Sequence, residues 1–237
     1  MKILLQGSRE LGVNLTQSQL DQFETYYREL SQWNQKVNLT AITGYEAVQV
    51  RHFLDSLTAC LVYEGGLAPG LGVFDVGTGA GFPGLPLKLA FPGIRLALSD
   101  SVGKKTRFLR HLLDVLDLPD VEIYTGRAEQ LGHQPGLREG FDLVVSRGVA
   151  RLPALLEYTL PFCKMGGKAI AWKHGNLEAE LADARGALRV LGGRLGGVVP
   201  VPVTGLMDNR VLVVVNKVRP TPAQYPRRPG VPAKQPL

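Results

Sequence analysis

The sequence predicts an α/β fold: a mostly parallel, Rossmann-like sheet covered by helices on both faces, ending in an antiparallel hairpin and preceded by a helical extension. Three observations carry this expectation. Between Leu71 and Lys217, short apolar runs alternate with helical segments, as βαβ units require. The first of those runs ends at Asp75-Val76 and passes directly into Gly77, Gly79 and Gly81 before an apolar helix, a strand-to-helix turn suited to a nucleotide. The last two runs, GRLGGVVPVPVTG and NRVLVVVNK, are joined by a turn around Gly205–Asn209, far too short for a helical crossover, so they pair antiparallel.

Taken in chain order, residues 1–70 form the helical extension. Leu20, Phe23, Tyr27 and Leu30 recur at spacings of three and four after Thr16, which marks a helix start. A second helix is expected from Glu46 to Tyr63, with Val50, Phe53, Leu54, Leu57 and Leu61 on one face. The stretch between them, WNQKVNLTAITG, is polar and turns at Thr43-Gly44. Strands are expected at 73–76, 94–100, 121–126, 141–146 and 168–173, then a helix near Leu177–Leu191 and the terminal hairpin. The main domain thus spans 71–218, and 219–237 is a basic, Pro-rich tail.

The composition narrows the function classes. No apolar run approaches the roughly 18 residues of a membrane-spanning helix, and the start, MKILLQGSRE, lacks the features of a secretory signal, so a cytoplasmic protein is expected. Cys60 and Cys163 lie too far apart to make metal-ligand couples and read as reduced core thiols; the four His show no ligand spacing, so no metal is expected. Residues 1–209 hold equal numbers of acids and bases, so the whole formal charge of +6 sits on Arg210, Lys217, Arg219, Arg227, Arg228 and Lys234. That concentration predicts a handle for a polyanion, and removing residues 220–237 is expected to weaken that binding while leaving affinity for any cofactor unchanged.

Two cofactors compete for the glycine loop. Gly79-Ala-Gly81-Phe-Pro-Gly84 matches the dinucleotide pattern, and Asp100 would accept hydrogen bonds from ribose hydroxyls of either ligand. Asp75, directly before the glycines, suits the cationic amino-acid end of S-adenosylmethionine and would repel a pyrophosphate. Five alternating units closed by a hairpin point the same way, to the class I methyltransferase sheet, because a dinucleotide fold repeats βαβ to its end. Ala128 and Glu129, after the third strand, are placed to meet an adenine, and Ser146-Arg147-Gly148 faces the methyl position. That last stretch lacks the Asn-Pro-Pro or Asp-Pro-Pro of amine methylation and the Cys of carbon methylation. A ring nitrogen such as guanine N7 needs neither, because its lone pair attacks without proton removal; an Arg can then orient the base through O6. A nicotinamide-dependent oxidoreductase and a ribosome-binding protein without chemistry stay open as alternatives.

WNQKVNLTAIT, RHFLDSL, DVGTGAGFPGLPLKLAFP, SDSVGKKTRFL, GRAEQL, VSRGVA and YPRRPGVPAKQPL together resemble the RsmG (GidB) family over nearly the whole chain. The resemblance implies methyl transfer from S-adenosylmethionine to N7 of a guanine in the 530 loop of 16S ribosomal RNA, on naked RNA or the small ribosomal subunit. No long exposed apolar stripe or heptad appears, so a monomer is expected. It places Gly77 and Phe82 at the glycine-loop contacts, Asp100 and Ser101 at the ribose, Ala128 and Glu129 at the adenine, and Arg147 beside the methyl donor. Arg127 corresponds to a second arginine bordering the substrate, and Lys36, Asn38, Arg51, His52 and Asp55 to the RNA side of the cleft. Lys173 keeps a family position at the end of the fifth strand, although this chain reads Trp172-Lys173-His174-Gly175 where the family usually reads Met-Lys-Gly.

Overall fold

The computed structural model describes residues 1–206 and 209–237. Helix α1 (Lys2–Glu10) is followed by α2 (Gln17–Val37), which opens with a capping box: the Thr16 hydroxyl accepts from the Gln19 backbone while the Gln19 side chain accepts from Thr16. The second expected helix is helical throughout but not uniform. It runs from α3 (Tyr45–Val48) through a π-helical turn (Gln49–Leu54) and α4 (Asp55–Leu57) into a 3-10 turn (Thr58–Val62). A π turn accommodates one extra residue and rotates the chain beyond it, which is why such turns recur at functional sites.

The sheet then builds in order: β1 (Gly72–Val76), α5 (Gly84–Ala90), β2 (Arg95–Asp100), α6 (Gly103–Leu116), β3 (Glu122–Thr125), α7 (Ala128–Leu131), β4 (Phe141–Arg147), α8 (Leu152–Thr159) and β5 (Cys163–His174). Two short helices, α9 (Glu178–Asp183) and α10 (Arg185–Leu191), replace the single one expected and lead to β6 (Gly193–Pro200) and β7 (Arg210–Lys217). The turn expected around Gly205–Asn209 includes Met207 and Asp208, which lie outside the described residues. A final short helix, α11 (Val231–Lys234), ends the chain.

Strand order is β3-β2-β1-β4-β5-β7-β6, parallel through β5, with β7 antiparallel to both of its neighbours. The hairpin is therefore present, with its second strand inserted between β5 and β6. Alternation of side chains along each strand divides the core into two. Val73, Leu143, Val145, Ile170 and Trp172 face α5, α6 and the amino-terminal helices, while Phe74, Val144, Ala169, Ala171 and Val213 face α8 and α10. Cys60 and Cys163 are buried free thiols.

Order in the sheet reverses at β1, with β2 on one side and β4 on the other, and this is where an open α/β sheet splays to leave a crevice at its carboxyl ends. Buried serines take up backbone carbonyls there. Ser99 Oγ donates to the Asp75 carbonyl at 3.1 Å and Ser146 Oγ to that of Val76 at 2.8 Å.

Candidate functional site

A cavity of about 260 Å³ occupies that crevice, lined by Val76, Gly77, Asp100, Ser101, Arg127, Ala128, Glu129 and Val149 and completed by Tyr158 and Ala233. A broader depression of about 540 Å³ lies at Arg110, Asp114 and Ile123, along α6 and the β3 edge and away from the carboxyl ends of β1 and β4. Position in the sheet, not size, singles out the smaller one.

The glycine loop meets this cavity at Gly77. Gly77, Gly79 and Gly81 have φ of 71°, 62° and 103°, a region that side chains rarely adopt. At Gly81 a Cβ would come within 2.5 Å of the Tyr26 hydroxyl, so this glycine is required by packing, whereas at Gly79 nothing lies within 4 Å of a Cβ. Asp100 fixes the loop from β2: Oδ2 accepts from the Gly79 backbone at 3.0 Å and Oδ1 from that of Val102 at 2.8 Å, with Lys105 Nζ at 3.6 Å. Its carboxylate still borders the cavity beside exposed Ser101.

Asp75 lies beneath the loop and does not line the cavity. It is fully buried, with Oδ2 accepting from Thr78 Oγ1 at 2.6 Å and from the Gly84 backbone at 2.8 Å, while Oδ1 has no partner. Burial pushes its carboxyl up to about 7 against the pull of those two donors. The open space over Gly79, the negative charge of Asp75 beneath the loop, and Asp100 beside Ser101 on the cavity wall are what a ligand with a cationic end and a ribose fits. The residues present suit S-adenosylmethionine.

Phe82 does not reach the cavity. Its ring is sandwiched between Tyr26, with centroids 5.4 Å apart, and His52, at 4.3 Å, so it fastens the glycine loop to the amino-terminal helices. The Arg147 guanidinium sits 5.3 Å from the same ring. From the end of β4, Arg147 donates to Asp55 Oδ2 at 2.5 Å, to the Arg51 carbonyl at 3.1 Å and to His52 Nδ1 at 3.1 Å. Because Arg147 can only donate, His52 Nδ1 accepts, and Nε2 carries the proton toward Thr40 Oγ1 at 2.7 Å. Burial and the neighbouring Arg147 push His52 down to about 3, so it stays neutral. The other Asp55 oxygen pairs with Arg210 at 2.6 Å, making one buried carboxylate the anchor of two arginines. The π turn delivers Arg51 and His52 and leads directly into Asp55; the extension is thus part of the site.

The remaining candidates divide. Arg127 is exposed at the start of α7 on the cavity rim, and Ala128 follows it on the wall. Glu129 also lines the cavity but accepts from the Gly230 backbone at 2.8 Å. Lys173 is held by Glu180 at 2.6 Å and by the carbonyl of the cavity residue Ala150 at 3.0 Å. β5 continues through His174, and Gly175 with φ of 74° ends it. Trp172 is core: it is buried, and its indole donates to the Asp55 carbonyl at 2.9 Å. Lys36, Asn38 and Arg51 are exposed on the amino-terminal side.

The sequence reading missed Val149, Tyr158 and Ala233, and it missed the partners of the basic tail. Arg227 pairs with fully buried Glu157 at 2.7 Å, Lys217 with Glu139 at 3.1 Å and Arg210 with Asp55, while Arg219 donates to the Arg189 carbonyl at 2.6 Å. Much of the carboxyl-terminal charge is spent inside the fold instead of being displayed. A signal existed for one pair. Glu157 is a lone acid within the apolar stretch LPALLEYTLPF, and a buried carboxylate requires a cation.

Residues 19–201 match the family model described as rRNA small subunit methyltransferase G, or GidB. A ribosomal RNA small subunit methyltransferase G from Roseiflexus sp. is 50% identical over 237 residues, covering 100% of both chains, and one from Dehalococcoides mccartyi is 48% identical with the same coverage. Among solved structures, an S-adenosylmethionine-dependent methyltransferase from Aquifex aeolicus aligns with TM-score 0.51 at 21% identity, over 69% of this chain and 92% of that one. Geranyl diphosphate C-methyltransferase from Streptomyces coelicolor aligns with TM-score 0.53 at 14% identity, over 81% and 98%. At such identities those two speak for the class I methyltransferase fold alone. With a family model covering most of its length and relatives matching it end to end, this chain belongs to the rRNA small subunit methyltransferase G family.

Proposed function

We propose that this chain transfers the methyl group of S-adenosylmethionine to N7 of a guanine in the 530 loop of 16S ribosomal RNA, acting in the cytoplasm as a monomer. The observation that carries this reading is the end-to-end identity of 50% with a small-subunit rRNA methyltransferase. S-adenosylmethionine, when bound, supplies a methyl group made electrophilic by its sulfonium sulfur. Asp100 and Ser101 would hold its ribose, Ala128 and Glu129 its adenine, and the loop around Gly77 and Gly79 its amino-acid end above Asp75.

No proton has to be removed for N7 to attack, so the protein's task is to orient the base and exclude competing geometries. Arg147 suits that task. Asp55, His52 and the Arg51 carbonyl fix the guanidinium, and neutral His52 adds no second charge beside it. A guanidinium held this way costs little further ordering when it donates to guanine O6 or to a phosphate. Arg127 borders the opening from the α7 side, and Lys173 holds the β4–α8 turn in place through Ala150.

The test is to incubate the protein with isotopically labelled S-adenosylmethionine and small ribosomal subunits, or naked 16S RNA, lacking the modification. Label is expected at N7 of a 530-loop guanine. Label at another atom or loop overturns the target, and cofactor binding without transfer to either substrate overturns the reaction.

A further inference from the structure

The carboxyl-terminal segment packs against the cavity through several independent contacts. Glu157 Oε1 accepts from both the backbone and Nε of Arg227, at 2.7 and 2.9 Å, and Oε2 accepts from Nε and Nη2 at 3.1 and 2.7 Å. This fork-on-carboxylate arrangement is fully buried on the glutamate side. Arg138 donates to the carbonyls of Thr221, Pro222 and Tyr225, and His133 Nε2 approaches that of Pro226 at 2.8 Å. Gly132 admits Pro226, since a Cβ there would come within 2.8 Å of its ring. Beyond this anchor the backbone turns at Gly230, whose N–H donates to Glu129, and α11 brings Ala233 to the cavity beside Tyr158.

Three groups that hold this segment are tied to the cavity. Glu129 and Tyr158 line it, and Glu157 lies between Tyr158 and the rest of α8. Ala233 completes the wall on the side where Ala128 and Glu129 stand. We propose that the segment from Tyr225 to Lys234 is a wall of the cofactor cavity, with Arg227 turned inward to Glu157 and not toward RNA. Ala233 then bounds the cofactor directly, and Arg227 is a positioning residue acting through Glu157. This rests on the cavity being the cofactor site. It also reverses the expectation that losing residues 220–237 spares cofactor affinity.

Two full-length variants test it, Ala233→Trp and Arg227→Gln, by calorimetric titration with S-adenosylhomocysteine, thermal melting with and without that ligand, and RNA binding. Ala233 is exposed, so a Trp there fills the cavity without displacing core. Ala233→Trp is expected to weaken ligand binding at least about tenfold with the unliganded melting temperature retained. Arg227→Gln is expected to raise the ligand's Kd and the KM for S-adenosylmethionine with kcat and RNA affinity little changed. A purely structural clamp would lower melting equally with and without ligand. Unchanged ligand affinity in a folded Ala233→Trp, or RNA affinity lost with ligand affinity intact in Arg227→Gln, overturns the proposal. Failure of the unsubstituted protein to bind the ligand at all is a different result, which overturns the cofactor reading and this inference with it.

Discussion

Replacing Asp75 with Asn separates what the fold requires of this residue from what the ligand requires. The side chain is fully buried, its folded carboxyl titrates near 7 and its ordinary value is 3.8. A raised carboxyl binds a proton more tightly in the folded state, so stability from this group is full at low pH and is lost as pH rises from about 4 through about 7. About three pH units correspond to about 4 kcal/mol carried by the ionised form. Asn keeps an oxygen to accept from Thr78 Oγ1 and the Gly84 N–H, and it removes the charge. Urea unfolding of both proteins at pH 5 and pH 8 measures the difference. Asp75→Asn should already be more stable by about 1–2 kcal/mol at pH 5, which lies above the ordinary carboxyl value, and by about 4 kcal/mol at pH 8, and the subtraction removes every other titrating group, His52 included. The same variant should lose affinity for S-adenosylhomocysteine, because it removes a negative charge from directly beneath the glycine loop that would hold the ligand's cationic amino end. A stability difference that does not change between the two pH values would refute the burial argument.

The same geometry sets the outcome of substitutions elsewhere in the site. Arg147→Ala should lower methyl transfer more than cofactor binding, read as a fall in kcat against an S-adenosylhomocysteine Kd that stays close to the original; lost cofactor binding with normal turnover at saturation would remove Arg147 from its orienting role. Asp100→Ala should weaken cofactor binding by about 1–3 kcal/mol in calorimetry, because it removes ribose acceptors and also releases the Gly79 N–H. The two loop glycines should behave differently. Gly81→Ala drives a Cβ into Tyr26 and Leu85 and should lower stability by at least about 1–3 kcal/mol, whereas Gly79→Ala meets open space and should mainly cost ligand affinity beyond its backbone strain.

What the sequence disclosed and what it concealed divide along the range of the interactions. Strands β1, β2, β4 and β7 are runs of Val, Leu, Phe and Ala bounded by Gly, Asp or Asn, so local pattern suffices to find them. Part of β5 is hidden because its first residues, CKMGGK, carry two glycines and no strand-forming signal. The nine-residue α1 is hard to see because its start has no side-chain cap and its buried residues are few. The π turn is invisible for another reason: Val50, Phe53, Leu54 and Leu57 fit a regular helix equally well, and only the hydrogen-bond ladder distinguishes the two. Asp100, Ser101, Ala128 and Glu129 could be placed because a strand end fixes the residues just beyond it. The stack of Phe82 between Tyr26 and His52, and the capture of Arg147 by Asp55, join segments far apart in sequence, and no local pattern encodes them.

Charge is the case where counting and geometry part most clearly, and it decides how the RNA would be held. The formal +6 belongs arithmetically to residues 210–237, yet Arg210, Lys217 and Arg227 neutralise Asp55, Glu139 and Glu157 from the body of the fold. Counter-ions condensed on the RNA are released when exposed protein cations neutralise its phosphates, and a cation already paired with a buried carboxylate displaces none. Exposed cations next to cavity residues in the chain include Arg127, on its rim, Lys104 and Arg107, on the first turns of α6 after Asp100 and Ser101, and Lys234, directly after Ala233. Lys105 beside them is partly engaged by Asp100. Paired substitution of Lys104 and Arg107 by Gln should therefore flatten the log–log salt dependence of RNA binding by about 0.7 for each phosphate no longer neutralised, with cofactor affinity unaffected. Arg227→Gln should leave that slope unaltered. If the slope follows Arg227 and not the α6 pair, the positive surface facing RNA has been placed on the wrong side of the cleft.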